Sequence, residues 1–120
     1  MDACIVLAVA SLAIALLLGS AAYAETPSAP TKTVVTINTA NKFQPILASS
    51  GTARRMLRIS NNNADGDSCW VFAGSGQASK EGSYEVGSGK EYLRYPPFVP
   101  SGAIQATCAS SSDTLEVEYQ

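Results

Sequence analysis

The sequence predicts an all-β protein, a single antiparallel β-sandwich of about seven to eight short strands placed after an N-terminal signal segment. Three observations lead there. Beyond residue 24 the apolar residues recur at the two-residue period of strands, most strictly in Thr114-Leu-Glu-Val-Glu-Tyr119. Clusters of Gly, Ser, Asn, Asp and Pro interrupt these runs about every 8 to 12 residues, and no segment there carries a helical apolar stripe. Finally, Cys69-Trp70-Val71-Phe72 is apolar on both of its alternating faces, as a strand covered from both sides must be. A small closed barrel is the alternative architecture.

Residues 1–24 read as a signal peptide. Ala3 to Ala24 carries no charge, Gly19-Ser20 breaks the apolar run, and Ala22-Tyr23-Ala24 offers the small residues a signal peptidase accepts, so cleavage is expected after Ala24. The segment Met1-Asp2-Ala3 departs from the usual pattern in lacking Lys or Arg. An uncleaved anchor is the alternative, since 22 uncharged residues just span a hydrocarbon core of about 30 Å. A lipoprotein is not expected, because its modified cysteine would sit at the cleavage site whereas Cys4 precedes the apolar run.

Glu25 to Lys32, with two prolines and no large apolar residue, forms an extended leader, and residues 33–120 form the domain. Thr33–Asn38 is the first strand, rich in β-branched residues. Phe43–Leu47 is the second, pushed to a sheet edge by Pro45. Arg54–Ser60 directs Leu57 and Ile59 inward. The polar loop Asn61–Asp67 leads into the Cys69 strand, where Cys69 and Val71 share one face and Trp70 and Phe72 the other. Ser83–Val86 and Lys90–Tyr95 flank the turn Gly87-Ser-Gly89. Pro96-Pro-Phe-Val-Pro100 cannot join a central ladder and is expected to be a buried crossover, with Tyr95-Pro96 and Val99-Pro100 as places for a cis bond. Ile104, Ala106 and Cys108 then share a face, and Leu115, Val117 and Tyr119 point inward from the last strand.

The mature chain of 96 residues holds eight Lys or Arg against nine Asp or Glu (ten less Asp2), a formal charge of −1. That gives no basis for nucleic-acid binding, which needs a basic surface. Contact with a membrane is expected only through an uncleaved signal segment. Cys69 and Cys108 are the only mature cysteines, and export places them where disulfides persist, so they are expected to pair. Closing a loop of about 40 residues contributes roughly 4 kcal/mol on the chain-entropy view.

No catalytic chemistry is legible. The sequence contains no histidine, which removes His-based triads and the commonest metal ligand. Two cysteines without a Cys-x-x-Cys pair argue against zinc and against a redox site. The acidic residues fall on loops (Asp65, Asp67, Glu81, Asp113) or on predicted solvent faces (Glu85, Glu116, Glu118), where a solvated surface explains them. Asn61-x-Asn63-x-Asp65-Gly66 matches the first half of an EF-hand loop, but the twelfth position is Phe72 rather than a bidentate Glu. Asn61, Asn63, Asp65 and Asp67 are thus candidates for no more than a weak calcium site; an ordinary loop of turn formers is the expectation, with no metal and no cofactor. Trp70, Phe72, Tyr92 and Arg94 are the candidate ligand-binding residues, an aromatic platform with a polar edge if they lie together on one surface.

The runs Ser60-Asn-Asn-Asn63, Cys69-Trp-Val-Phe72, Tyr95-Pro-Pro-Phe-Val-Pro-Ser101, Ala103-Ile-Gln-Ala-Thr-Cys-Ala109 and Asp113-Thr-Leu-Glu-Val117 resemble a group of small, exported, uncharacterised bacterial proteins. The C-terminal part is also similar to small β-domains among phage structural proteins. These resemblances imply a shared fold and bring no catalytic residues. The expected protein is therefore a periplasmic or secreted, disulfide-stapled sandwich with a binding or structural role and no enzymatic activity, its partner an unidentified protein or glycan. A carbohydrate-binding module using exposed aromatics around Trp70 is the alternative.

Overall fold

A computed structural model describes residues 29–120. The signal segment assigned to residues 1–24 and most of the 25–32 leader lie outside the described residues. The described residues form eight strands: β1 (Thr31–Thr36), β2 (Gln44–Leu47), β3 (Leu57–Asn61), β4 (Cys69–Phe72), β5 (Tyr84–Val86), β6 (Lys90–Arg94), β7 (Ile104–Cys108) and β8 (Thr114–Tyr119). No helix occurs among the described residues. The first strand starts two residues earlier than its β-branched run suggests, because Thr31 and Lys32 pair with Tyr119 and Glu118 of β8.

The strands build two antiparallel four-stranded sheets, ordered β1-β8-β3-β6 and β2-β7-β4-β5. The open edges of both sheets decide for a sandwich over a closed barrel. Pro45 sits on the edge strand β2, where its missing N–H costs no ladder bond, and the register shifts between Pro45 and Leu47.

Alternation sets the core. Leu57, Ile59, Leu115 and Val117 from the first sheet meet Val71, Val86, Ile104 and Ala106 from the second in one apolar cluster. Leu57 and Ile59 are fully buried, so truncation of either to alanine is expected to cost about 2–5 kcal/mol.

Cys69 and Cys108 form the disulfide that joins β4 to β7 inside the second sheet. They are directly opposed in register, and the neighbouring pair Ser68/Ala109 carries the backbone bond, Ala109 N donating to Ser68 O at 3.1 Å. The cysteines therefore occupy the narrow, non-hydrogen-bonded position of the antiparallel ladder. Their Cα atoms stand 4.0 Å apart, closer than the roughly 4.4–6.8 Å usual for disulfides. The non-hydrogen-bonded position, with its usual Cα spacing of about 4.5 Å, already brings the two cysteines close.

Two expectations fail at the crossovers. Residues 96–100 do not bury both of their large apolar side chains: Val99 packs against the core, whereas Phe98 is 77% exposed. Phe98 lies in a tight turn, its N–H donating to Tyr95 O at 2.9 Å, which turns the ring outward. The cis peptide is Pro96-Pro97 rather than either of the two candidates. A feature not anticipated is Arg54, buried ahead of β3. Its guanidinium donates to Ala48 O (2.5 Å), Pro100 O (2.6 Å) and Gly102 O (3.0 Å), tying the segments before β3 and before β7 together.

Candidate functional site

The aromatic residues singled out in the sequence fall into two groups on different surfaces. Trp70 and Phe72 point away from the core, on the outer face of the second sheet. The segment between β4 and β5 folds back over that face. A Cβ added at Gly74 would stand 3.3 Å from the Phe72 ring, tighter than side chains usually pack, and one at Gly82 would touch the ring at an ordinary 3.5 Å, so the chain lies directly on Phe72. Phe43 contacts the same ring edge-on at 6.5 Å. Lys80 places its ammonium 3.9 Å from the centre of the Trp70 ring and donates to Asn41 Oδ1 at 2.6 Å. Phe72 is thereby buried, and one face of Trp70 is taken by Lys80.

Tyr92 and Arg94 face the other way. They lie opposite Ile59 and Leu57 on the inner face of the first sheet, at its β6 edge. Tyr84, opposite Val71 on β5, reaches the same opening from the second sheet. The Tyr84 and Tyr92 rings meet edge-on at 5.3 Å. The Arg94 guanidinium caps both, 4.2 Å from Tyr92 and 5.4 Å from Tyr84. The shared face of Tyr92 and Arg94 was legible from their spacing; the partner Tyr84 was not, because it comes from the opposite sheet. Tyr84 is 49% exposed, and it lines an open cleft of about 560 Å³ together with Arg58, Ser60, Asn62, Glu85 and Lys90. Phenol, hydroxyl, amide and both signs of charge line one shallow surface there, which suits a polar ligand more than an apolar one.

The Asn61–Asp67 loop is built differently from a calcium-binding loop. Asn61 is fully buried and its Nδ2 donates to Asp67 O (2.8 Å) and Val86 O (2.9 Å), while its Oδ1 accepts from Asn63 N (3.2 Å) and Asn63 Nδ2 (2.7 Å). Asn63 Nδ2 donates to Thr114 O and its Oδ1 accepts from Thr114 N, each at 2.9 Å. Both asparagine oxygens are thus committed to the fold, and the alternating EF-hand pattern does not assemble as a ligand set.

The aspartates of the loop find another partner. Asp65 Oδ1 accepts from Asp67 N at 3.0 Å, and Asp67 Oδ2 accepts from the Ser110 hydroxyl. Asp113, expected on a solvated turn, is instead buried, because its turn is pinned to the end of β1 by Ile37 N donating to Asp113 O and Ser112 N donating to Ile37 O, each at 2.8 Å. Carboxylate oxygens of Asp65, Asp67 and Asp113 lie within 4.8 Å of one another. Burial raises the Asp113 pKa to about 6, reinforced by its hydrogen bond to Asp65 and by the charges of Asp65 and Asp67. The Asp65 pKa is lowered, first by the hydrogen bond from Asp113 and then by that from the Asp67 amide.

The chain matches no protein-family model, no curated protein and no solved structure.

Proposed function

We propose that this protein is an exported, disulfide-stapled β-sandwich with a binding or structural role and no catalytic activity. The observation that carries export is the Cys69–Cys108 bridge, fully buried between the two central strands of the second sheet. A fold that depends on such a bridge suits an oxidising compartment, the periplasm or the cell exterior. The Ala22-Tyr23-Ala24 site and the resemblance to small exported bacterial proteins support the same reading. The non-catalytic part of the reading is supported by the absence of histidine from the sequence, which leaves carboxylates as the main acid–base groups. Mass spectrometry of the periplasmic or culture fraction should find a chain starting at or near Glu25 with no free thiol. Full-length chain in the membrane fraction, or reduced cysteines, would reverse this reading.

A second reading, carbohydrate binding, is favoured by Tyr84, half-exposed over a polar cleft and held by Arg94. Trp70 is less suited, since Lys80 takes one of its faces. A glycan array on the purified protein, with Tyr84→Ala beside it, separates the readings. Silence across polysaccharides removes the second, and a signal lost in Tyr84→Ala establishes it.

A further inference from the structure

Asp65 and Asp67 leave the β3–β4 loop, Asp113 leaves the β7–β8 turn, and all three carboxylates converge. Asp113 is only 5% exposed, and its Oδ2 is buried with no hydrogen-bond partner. An ionised carboxylate held that way is costly unless a positive group completes it. Among the described residues, neither ion pair involves these aspartates, and the charges acting on Asp113 are those of Asp65 and Asp67.

We propose that Asp65, Asp67 and Asp113 form a calcium site at this end of the sandwich. The donor set is all oxygen: the nearby sulfurs of Cys69 and Cys108 are closed in their disulfide, so a hard cation fits and a thiophilic one does not. Calcium binds oxygens at about 2.3–2.6 Å, so two of its ligands stand at most roughly 5.2 Å apart, and the three carboxylates lie close enough together for one ion to reach all of them. Magnesium, at about 2.0–2.1 Å with strict octahedral geometry and reluctant dehydration, suits them less. Asp65 is exposed and opens the site to solvent, from which water supplies the remaining ligands. Asn61 and Asn63 take no part, their oxygens being hydrogen-bonded within the fold.

The test is calorimetric titration of the purified, chelator-stripped protein with calcium chloride near neutral pH, alongside thermal melts. The expected result is a saturable heat for one ion per chain and a melting temperature raised by at least ~5 °C in excess calcium. Asp65→Asn, at an exposed position, should keep the fold and weaken calcium binding about tenfold or more. Asp113→Asn should abolish the heat. Should that buried variant fail to fold, Asp65→Asn and the parent still decide the matter. No heat and an unchanged melt of the parent in millimolar calcium would overturn the site. Binding that survives Asp65→Asn would place it elsewhere, and magnesium matching calcium would overturn the choice of ion.

Discussion

Asn63 hydrogen-bonds Thr114 with both ends of its side-chain amide, Nδ2 to the carbonyl and Oδ1 from the N–H, each at 2.9 Å. The side chain stands in for a strand residue at the start of β8 and anchors the β3–β4 loop to it. Asn63→Ala removes both bonds and leaves the Thr114 groups to find other partners, so a loss of about 2–3 kcal/mol is expected in urea denaturation. Asn63→Asp keeps the acceptor, loses the donor and adds charge beside the aspartates, so it should be no better than the alanine. Parent-like stability of either variant would show that the contact contributes nothing.

Cys108→Ala, or reduction of the parent, should cost several kcal/mol, near the roughly 4 kcal/mol of a loop this long. Melting under oxidising conditions reads the loss. Thiol labelling of the unfolded, unreduced protein should find no reactive cysteine at Cys69 or Cys108.

Arg54→Ala should cost about 2–4 kcal/mol, because three backbone carbonyls from two segments lose their common donor. Arg54→Lys should recover only part of this, since an ammonium lacks the planar fork that reaches them together. Equal stability of the alanine variant and the parent in urea would contradict the clamp.

In calcium-free buffer the Asp113 carboxyl should make stability fall as pH rises. Its raised pKa means that the folded chain holds this proton more tightly than the unfolded chain does. The contribution is fully present below the unfolded value of about 3.9 and is lost as pH rises through about 6. Asp65, with a lowered pKa, acts in the opposite sense and only at more acid pH. Urea midpoints between about pH 4 and pH 7 should therefore decline in the parent and flatten in Asp113→Asn. A parent midpoint that rises across this window would contradict the assignment.

The strands were legible because alternation and turn residues are local signals: Leu115 and Val117, or Leu57 and Ile59, declare their face within a few positions. Which strands pair was legible only through the cysteines. Arg54 was missed because a charged residue at the start of a predicted strand reads as solvent-facing, and its carbonyl partners lie in other segments. Asp113 was read as surface for the same reason. Its neighbours Asp65 and Asp67 are more than forty residues away, and only folding brings them together. Trp70 and Tyr92 illustrate the limit for binding surfaces. Each strand's periodicity is clear, but nothing local says that their strands belong to different sheets.

The pairing of Thr31 with Tyr119 puts the start of β1 and the end of β8 at one pole, while Thr36 and Thr114 mark the other. A tether attached ahead of Thr31 would hold the domain by the first pole. The aspartate cluster beside Thr114 would then be the part held farthest from the anchoring surface, six residues of strand away. A fusion partner or surface linkage joined ahead of Thr31 would therefore leave this anionic tip uncovered at the opposite pole.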